Sequence, residues 1–555
     1  MAKQDETVEH NQVVPLADYN LYDTDRILTG IVSAHCSCED QSILREHGDW
    51  LGRADTLEAG RLANRHAPEL VQFDVRGQRI DRVDFHPAWH HLMGGMIQRG
   101  LHNGAPPGSH PHLRRAAAYL MQGQVEAGTL CPVTMTFAAL PLLEAAAQTD
   151  GDFFTPWVQS LRASHYHPGE SSLAARTLES GRPVAALVGM GLTEKQGGSD
   201  LRTCNTTAQP LSADPDDPLC VLTGHKWFFS VPQSDAHLVL ARQPQGLSCF
   251  LVPRLTPDGA RNGILINRLK DKLGNRSNAS AEVVFEGAWA HRVGDPGRGL
   301  PALLRMATST RLDCVLGSTA LLRQALVQAL HHTSHRFAFG RALIEQPVMA
   351  ALLADLALES EASTRLSLAL AQCMDDSSMP ARALARVGIP AAKFWICKRV
   401  ISAIAECLEA LGGNGYVEEG PIARLYREAP VNSVWEGSGN IMALDVLRGF
   451  AQDDTCLDAL LHHWQGVRRD HPAFGVALAH WLRLLDAART DQALARPVAA
   501  CLVRMWQAAL MIEAGHTPSS DAFVATRLAG GERMWGEFDH PPAAALILAH
   551  HWPLL

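Results

Sequence analysis

The sequence lacks an excess of positive charge. It carries 49 lysine and arginine residues against 58 aspartate and glutamate residues, which gives a formal net charge of −9 at pH 7. Such a chain has no global electrostatic attraction to nucleic acid or to an anionic membrane, so binding of either needs a local basic patch. The 26 histidines add positive charge only below neutrality.

A secretion signal and long hydrophobic runs are also missing from the sequence. The segment Met1–His10 is polar and acidic, without the apolar core and cleavage pattern of a signal peptide. We find no run of roughly eighteen apolar residues that would span a bilayer. We therefore expect a cytoplasmic protein without a membrane partner.

The sequence has no paired cysteine framework. Its twelve cysteines are scattered, and most lie inside apolar segments, as Cys249 and Cys397 do. Such residues are typical of a reduced core. Cys36 and Cys38 form the only close pair, and Cys-x-Cys without a second pair is weak evidence for zinc.

Length and composition indicate a globular protein of several domains. The 555 residues exceed the size at which a single hydrophobic core stops growing. With 46% hydrophobic and 19% charged residues, the composition excludes disorder as the dominant state. We find no internal repeat of fixed period.

Hydrophobic periodicity divides the chain into four parts. Residues 1–183 are predicted to be mainly helical, because apolar residues recur at three- and four-residue spacing. From Val184 short Val-, Leu- and Phe-rich runs alternate with turn signals, which predicts a middle β domain at 184–297. The seven predicted strands are 184–189, 220–223, 227–230, 237–241, 248–252, 263–267 and 281–285.

The helical period returns after the middle domain. Long helical patterns with short connections predict a C-terminal helical bundle at 298–450. Residues 451–555 form a further helical extension with apolar stripes. The predicted fold class is thus multidomain α+β, with a small barrel or sandwich between helical parts.

Two segments of the middle domain have the composition of cofactor-binding loops. Gly189–Asp200 follows a strand and supplies glycines, hydroxyls and free N–H groups, which suit a phosphate or a polar cofactor edge. It lacks G-x-G-x-x-G spacing, so a Rossmann fold is not indicated. In Lys226–Pro232 aromatic residues precede a hydroxyl, where a planar ring could stack, although a β core explains the aromatics equally well.

In the third part, Arg336–Gly340 follows one helix and Gly412–Tyr416 closes another. Taken singly, each is a glycine C-cap. Val431–Asp445 places Glu436 between Trp435 and a Gly-Ser-Gly run that leads into a helical pattern. A loop-to-helix junction of this kind suits an anionic group, but the stretch taken alone favours a solvated glutamate at a helix start.

His331 and His335 are four residues apart on one predicted helix face. This spacing could serve a metal ion. No acidic third ligand is signalled nearby and Arg336 is adjacent, so we predict a solvated face and no metal site.

The order of these motifs is more specific than any one of them. A helical third, the Thr193–Asp200 loop, a strand domain, Arg-x-x-Phe-Gly at 336–340, Leu-Gly-Gly-x-Gly-Tyr at 411–416 and Trp-Glu-Gly-Ser at 435–438 follow one another. Over about residues 50–450 the chain resembles the acyl-CoA dehydrogenase flavoprotein family. Longer strings at 130–139, 189–200, 225–237 and 269–280 are similar to its adaptive alkylation-response branch, and the extension after residue 450 fits that branch too.

The resemblance implies FAD bound between the strand domain and the C-terminal bundle. The matched positions that would line its isoalloxazine and pyrophosphate are Met190, Leu192, Thr193, Gly198, Ser199, Phe228, Phe229 and Ser230. Those that would complete the site are Gly412, Gly413, Val434, Trp435, Gly437, Ser438 and Asn440. Arg336 and Phe339 match residues that reach the adenine half of FAD in a neighbouring subunit, which implies a homo-oligomer, expected to be a tetramer.

Glu436 matches the family's catalytic base. The resemblance implies that its carboxylate takes the α-proton of an acyl thioester while hydride leaves the β-carbon for flavin N5. An acyl-CoA or a related small molecule is then the expected substrate.

Two functions follow from the resemblance. The first, which we favour, is an FAD-containing protein of the alkylation-damage response that protects double-stranded DNA and uses its extension to bind it. The alternative is a metabolic dehydrogenase of short or branched acyl-CoA without a DNA role. The extension has eight arginines and no lysine against eleven acidic residues, so its formal charge is −3. A phosphate-binding surface needs clustered cations, and a module that packs between subunits is the other interpretation of the extension.

Overall fold

The structure is a computed structural model that describes residues 11–104, 108, 110–214, 217–530, 534–539 and 542–554. The predictions made for Met1–His10 and the charges counted at Glu532 and Arg533 lie outside these residues. The chain divides into two compact units. The first comprises Met1–Leu57, Gly108–Val125 and Arg311–Leu555, and the second comprises Glu58–Pro107 and Glu126–Thr310.

Helices dominate the described part of residues 11–180, and one hairpin interrupts them there. The elements are α1 (Arg26–His35), α2 (Cys38–Gly52), α3 (Ala54–Arg65), β1 (Glu69–Phe73), β2 (Arg79–Asp84), α4 (Pro87–Gln98), α5 (Pro111–Val125), α6 (Leu130–Ala147), α7 (Gly151–Arg162) and α8 (Leu173–Ser180). The helical prediction for this part of the chain is confirmed by these helices.

The β1–β2 hairpin was not predicted. Its strands are antiparallel, and the Asp74 carboxylate accepts hydrogen bonds from the backbone N–H groups of Arg76 and Gln78, each at 2.8 Å. Gly77 closes the turn with a φ of 76°. An aspartate followed three residues later by glycine is a turn signal that the helical interpretation overlooked.

The middle β domain is confirmed. Its strands are β3 (Val188–Gly191), β4 (Thr207–Pro210), β5 (Leu219–Ser230), β6 (Ala236–Gln243), β7 (Gly246–Pro253), β8 (Ile264–Leu269) and β9 (Ser280–Val293). They form one sheet in the order β3-β5-β4-β6-β7-β9-β8, with further pairings β3–β6 and β5–β9. Because these pairings join strands that are separated in that order, the sheet curls back on itself.

Two predicted strands are in fact one. The runs 220–223 and 227–230 belong to the continuous β5, whose pairing with β9 shifts register between Leu222 and Thr223. Gly224 lies at this irregularity, and a Cβ there would stand 2.7 Å from the Thr206 Cα. The glycine therefore allows a close crossing within the strand rather than ending it. β4 was missed.

Two apolar cores lie among the described residues of the second unit. One lies between α6, α7 and one face of β3 and β6, where Leu143, Phe154 and Leu238 are buried. The other fills the interior of the sheet around Phe229, Phe250 and Phe285. Both cores anchor the strands that end at the loops described below.

The helix α6 has the length and hydropathy of a membrane span. The expectation that no such run exists is therefore wrong for Leu130–Ala147. Most of this helix is buried inside the protein, and it contributes Ala139, Leu140 and Leu143 to an apolar core. Its hydropathy reflects burial on several sides, as in other core helices.

The C-terminal bundle and its extension belong to the first unit, except for the start of the first bundle helix up to Thr310, which belongs to the second. Their elements are α9 (Gly299–His335), β10 (Phe337–Ala338), β11 (Arg341–Ala342), α10 (Pro347–Asp375), α11 (Met379–Ala410), α12 (Gly413–Tyr416), α13 (Ile422–Glu428), α14 (Gly439–Gln452), α15 (Thr455–His463), α16 (Gln465–Asp470), α17 (Pro472–Ala487), α18 (Ala495–Glu513), α19 (Thr517–Arg527) and α20 (Ala544–His551). The predicted bundle and helical extension are both confirmed.

The extension packs on the bundle of its own chain. Trp506 of α18 lies over Gly388 of α11, where an added Cβ would stand 2.7 Å from the indole. Arg527 of α19 is buried and pairs with Asp355 at 2.6 Å and with Glu359 at 3.4 Å. Much of the apolar stripe and one arginine of the extension are thus used inside the first unit.

Candidate active site

Glu436 lies on a tight turn that leads into α14. A short 3₁₀ helix at Val431–Ser433 precedes the turn, and α14 begins at Gly439 with Ser438 as its N-cap. Glu436 has a φ of 56° and Gly437 a φ of 101°. A residue with a side chain rarely adopts this left-handed region, which costs about 1–3 kcal/mol and persists only where the surroundings enforce it.

Lys393 provides that enforcement. The lysine lies on α11 with 1% of its surface exposed. Its ammonium group donates to the carbonyl oxygens of Asn432, Trp435 and Gly437 at 2.9, 2.8 and 2.8 Å. All three protons of the buried cation are therefore used, and they fix the backbone on both sides of Glu436.

The carbonyl of Glu436 itself is held by Arg311 of α9. The guanidinium Nε donates to this oxygen at 3.2 Å, and Nη1 pairs with Asp445 of α14 at 2.8 Å. Arg386 contacts the other oxygen of the same carboxylate at 3.2 Å. Lys393 and Arg311 together thus hold four carbonyl groups of the turn, those of Asn432, Trp435, Glu436 and Gly437. The helices of the bundle therefore set the direction of the Glu436 side chain.

Neither Lys393 nor Arg311 was recognised from the sequence. A signal existed for the lysine, because Lys393 stands in the apolar run Ile389–Cys397, and lysine is rarely fully buried without partners. No local pattern identifies its partners, which lie about forty residues further along the chain.

Trp435 is fixed within the same turn. Its indole N–H donates to the Asn432 side chain at 2.8 Å, and the Asn432 amide donates to Ser318 of α9 at 3.2 Å. The half-buried ring is therefore held in one orientation at the position just before Glu436.

The start of α14 is suited to an anion. The Ser438 side chain makes no capping hydrogen bond, so its hydroxyl remains available beside the first N–H groups of a 14-residue helix. An added Cβ at Gly439 would stand 2.3 Å from Cε of Lys398, and Arg496 of the extension donates to the Asn440 side chain at 3.0 Å. Helix N–H groups and two cations together favour a phosphate.

A second group of predicted residues lies near the ends of α9 and α11. Phe339 and Gly340 form the tip of the β10–β11 hairpin with φ values of 52° and 83°, and Phe339 is 96% exposed. The Arg336 guanidinium donates to the Asn11 carbonyl. A Cβ added at Gly412 or Gly413 would meet nothing within 4 Å, so the backbone there is open to a ligand.

In the second unit, β3 and β5 bring further predicted residues together. Met190 pairs with Ser230, and Gly191 pairs with Phe229. Phe229 is fully buried and its ring fills the space over Gly191, at 2.2 Å from an added Cβ. Its side chain therefore serves the core of the sheet and only its backbone can border a ligand, whereas the Phe228 ring is 51% exposed.

The loop after β3 carries the other predicted residues. Thr193 and Gly198 lie together, because an added Cβ at Gly198 would stand 2.5 Å from the threonine hydroxyl oxygen. Leu192 is half-buried, and Ser199 is exposed. The loop therefore brings the Thr193 hydroxyl close to the Gly198 backbone, where a side chain would not fit.

A buried ion pair lies beneath this loop. Lys226 of β5 is fully buried and contacts Glu194 at 2.7 Å, and the carboxylate also accepts from the backbone N–H groups of Asn205 and Thr206 at 2.7 and 3.1 Å. Burial alone would raise the pKa of Glu194, but the charge of Lys226 and these hydrogen bonds outweigh it and hold the pKa well below its usual value.

The end of β5 is strained. Val231 follows Ser230 with a φ of 57°, which is exceptional for a β-branched residue. The His237 ring donates from Nε2 to the Val231 carbonyl at 3.1 Å, and burial lowers the pKa of His237 to about 4. The neutral ring therefore keeps this contact over a wide pH range.

His331 and His335 do not resemble a metal site. The His331 ring contacts the Val14 carbonyl at 2.8 Å, and the His335 ring contacts the His331 carbonyl at 2.8 Å. No cluster of three or more histidine, cysteine, aspartate or glutamate side chains that could hold a metal lies among the described residues.

The residues present fit a dinucleotide with a planar ring. Gly412 and Gly413 are open backbone, Ser438 is uncapped at a helix N-terminus, and Phe228 and Phe339 are exposed aromatic rings. These features suit phosphate and ring contacts in each unit taken by itself.

Profiles of three protein domains match the chain in tandem. The acyl-CoA dehydrogenase middle domain matches residues 189–288, and the acyl-CoA dehydrogenase C-terminal domain matches residues 297–451. The adaptive response protein AidB N-terminal domain matches residues 11–168.

Relatives match over nearly the whole chain. AidB of Escherichia coli (strain K12), an acyl-CoA dehydrogenase homologue, is 44% identical over 531 residues, which cover 94% of this chain and 95% of that protein. Acyl-CoA dehydrogenase family member 11 of Caenorhabditis elegans is 29% identical over 526 residues, or 87% and 81% of the two chains.

Solved structures share the fold. Caenorhabditis elegans ACDH-11 in complex with C11-CoA has a TM-score of 0.84 at 25% identity and covers 95% of this chain and 94% of that one. An acyl-CoA dehydrogenase complexed with FAD from Bacillus anthracis has a TM-score of 0.67 at 16% identity, covering 89% and 87%.

The chain therefore belongs to the acyl-CoA dehydrogenase family of FAD-dependent oxidoreductases. Within that family, the N-terminal domain and the full-length similarity place it in the AidB branch. The predicted family and the predicted FAD cofactor are confirmed.

Proposed function

We propose that the enzyme oxidises an acyl thioester of the acyl-CoA type and that Glu436 is its catalytic base. FAD, when bound, supplies the acceptor for a hydride from the β-carbon of the substrate. The Glu436 carboxylate removes the α-proton, and its own backbone N–H can donate to the thioester carbonyl.

The turn around Glu436 carries this proposal. A strained left-handed backbone is maintained there by Lys393 and Arg311, and strain of this kind is concentrated at functional sites. A solvated glutamate at a helix start needs neither a buried lysine nor a left-handed φ. The C11-CoA complex of ACDH-11 adds support for a thioester substrate.

Anaerobic mixing of the FAD-loaded enzyme with a panel of straight and branched acyl-CoAs tests the activity. We expect at least one of them to bleach the flavin absorbance. The variant Glu436→Gln should retain FAD and lose the bleaching, whereas Glu179→Gln, an exposed glutamate on α8, should behave as the wild type. No bleaching by any member of the panel would reject the proposal.

We further propose that the protein acts in the alkylation-damage response by binding double-stranded DNA. The AidB N-terminal domain and the similarity to Escherichia coli AidB support this role. The extension offers few cations for it, since Arg527 is buried in ion pairs and Arg496 contacts Asn440. Arg468, Arg469 and Arg483 are exposed on α16 and α17, and they are the candidate phosphate contacts.

Fluorescence anisotropy with a labelled duplex at low and moderate salt tests DNA binding. We expect binding that weakens as salt rises. Replacing Arg468, Arg469 and Arg483 together by glutamine should weaken binding further, and Arg489→Gln, an exposed neighbour that lies 3.6 Å from Asp486, is the control. Absence of binding at low salt would contradict a DNA role.

A homo-oligomer is also part of the proposal. The Phe339 ring is 96% exposed at a hairpin tip, and Phe337 and Val348 nearby in sequence are 57% and 84% exposed. Exposed apolar side chains grouped in this way mark protein or ligand interfaces.

A further inference from the structure

The second unit contains a cavity of about 320 Å³ apart from the loops that carry the predicted flavin contacts. Its walls come from the end of the β1–β2 hairpin, the start of α4, the segment after α7, Arg176 of α8, and the residues that precede β3 and β6. A cavity of this size can hold roughly ten waters at about 30 Å³ each. Its volume also lies at the lower end of pockets for small ligands, about 300–1,000 Å³.

The charged groups of the cavity neutralise one another. The Arg82 guanidinium pairs with Asp84 at 2.6 Å, and the buried Arg176 pairs with Asp235. Glu170 pairs with Arg254 at 2.8 Å. With every charge of these pairs opposed, the cavity favours an uncharged occupant, because a charged ligand would have to break an ion pair or remain uncompensated.

Several neutral polar atoms of the wall are unused. Both ends of the Gln233 amide are buried and have no hydrogen-bond partner among the described residues. The same holds for Nε1 of Trp89, which is 2% exposed, and for Nε of Arg176, which is 4% exposed. Buried polar groups without partners are rare in proteins and call for a ligand or water.

These unused donors and acceptors indicate which hydrogen-bonding groups a ligand of the cavity would carry. The Gln233 amide offers its NH₂ group as donor beside its oxygen as acceptor, which match a C=O next to an N–H. Trp89 and Arg176 add two further donors and therefore require a second acceptor. A cyclic imide, in which one N–H lies between two C=O groups, satisfies this combination.

Aromatic rings supply a flat wall. Phe85 and Trp89 are stacked with centroids 4.1 Å apart, and the Tyr166 hydroxyl contacts the His90 ring at 2.7 Å. Burial lowers the pKa of His90 and raises the pKa of Tyr166, so both groups are neutral near neutral pH. A planar ring of low polarity on its faces fits such a wall.

We propose that this cavity is a second binding site, distinct from the flavin contacts, for a small uncharged planar heterocycle with an imide edge, of which pyrimidinediones are the simplest class. The Gln233 amide accepts a hydrogen bond from the N–H of the ligand and donates one to the first C=O of its imide. Trp89 and Arg176 donate hydrogen bonds to the second C=O. The site takes no part in the proton removal by Glu436.

Calorimetric titration of the FAD-loaded protein with uracil tests the proposal. We expect one binding event per chain without change in the flavin spectrum, and 3-methyluracil, which lacks the N–H between its carbonyls, should bind at least about tenfold more weakly. Gln233→Leu should show a similar loss for uracil. Gln209→Leu, an exposed glutamine on β4 of the same unit, should bind as the wild type.

Two results would overturn the site. One is the absence of uracil binding by the wild type up to its solubility, which would leave a cavity filled by water. The other is equal binding of uracil by the wild type and by Gln233→Leu. If Gln233→Leu does not fold, Trp89→Phe removes a single donor while keeping an aromatic ring, and unchanged affinity for uracil in that variant would also count against the proposal.

Discussion

The Lys393 ammonium donates to the Trp435 carbonyl at 2.8 Å. This contact lies just before Glu436 in the chain, and a contact of the same length to Gly437 lies just after it. A buried lysine is usually neutralised by a carboxylate, but here three carbonyl dipoles surround it. The pair Lys393 and Trp435 thus links the interior of the bundle to the position of a carboxylate.

Lys393→Met tests that link. The variant leaves one buried and two partly buried carbonyls without their donor, so we expect a loss of stability on the order of 3 kcal/mol. Because the turn then relaxes from the left-handed conformation, flavin reduction by a reactive acyl-CoA should slow by about 100-fold, as expected for a misplaced catalytic group. Stopped-flow absorbance and urea denaturation measure the two effects.

Arg382→Met is the matched control for this variant, since Arg382 is an exposed cation on the same helix. It should change neither quantity. If Lys393→Met lowers stability and leaves the rate of flavin reduction unchanged, the lysine has only a structural role and the positioning argument fails.

Lys226→Met tests the ion pair beneath the loop after β3. Removing the lysine leaves the Glu194 carboxylate buried and uncompensated, which typically costs about 3–5 kcal/mol. The double variant Glu194→Gln, Lys226→Met should recover most of that loss. Thermal denaturation of the single and double variants measures it, and equal stability of the two would show that the pair is not coupled.

The sequence predicted the family, the layers of the fold and the position of Glu436 because these depend on local signals. Most glycines in the 189–200 loop, and Gly437, lie where an added side chain would collide with neighbouring atoms, and Gly412 lies in a left-handed conformation; glycine at these positions is visible in the sequence itself. Hydrophobic periods of helices and strands are equally local. The β1–β2 hairpin was not predicted, because its two short strands lie between segments whose helical periodicity is stronger.

What the sequence did not predict depends on distant partners. Lys393 and Arg311 meet the Glu436 turn only in the folded bundle. Alternation along β5 places one of Phe228 and Phe229 inside the sheet, but only the observed pairing shows that Phe229 is the buried one. The predicted strands 220–223 and 227–230 are one strand in the structure, and Gly224 between them lies at an irregularity of β5 that Thr206 approaches closely.

His237 should give the protein an acid-sensitive stability. Its pKa in the folded protein is about 4, below its ordinary value of 6.5, so between these values the unfolded chain binds a proton that the folded chain does not. Stability from this group is complete above about pH 6.5 and is lost as the pH falls towards 4, by roughly 3 kcal/mol at 1.36 kcal/mol per unit.

His237→Gln keeps a donor for the Val231 carbonyl but does not titrate. We expect a shallower loss of stability between pH 6.5 and 4 than in the wild type, measured by urea denaturation at several pH values. His480→Gln, an exposed histidine of α17, should keep the wild-type profile. Identical slopes for the wild type and His237→Gln would contradict this assignment.

Phe339→Ser tests the oligomer. Removal of the exposed ring at the hairpin tip should lower the molar mass in light scattering and increase the release of FAD, since the tip is expected to contact a neighbouring subunit and its cofactor. Phe73→Ser, an exposed phenylalanine of β1, is the control. A wild type that is monomeric with FAD fully bound would refute the proposed role of Phe339.

The central claim is that Glu436 removes the α-proton of an acyl thioester, and α-proton exchange in D₂O measures this step separately from hydride transfer. The FAD-loaded enzyme is incubated anaerobically with an acyl-CoA that binds, and deuterium at the α-carbon is followed by mass spectrometry. We predict exchange by the wild type and by Glu179→Gln, and none above the uncatalysed rate by Glu436→Gln with FAD retained. Exchange by Glu436→Gln at the wild-type rate would contradict the account.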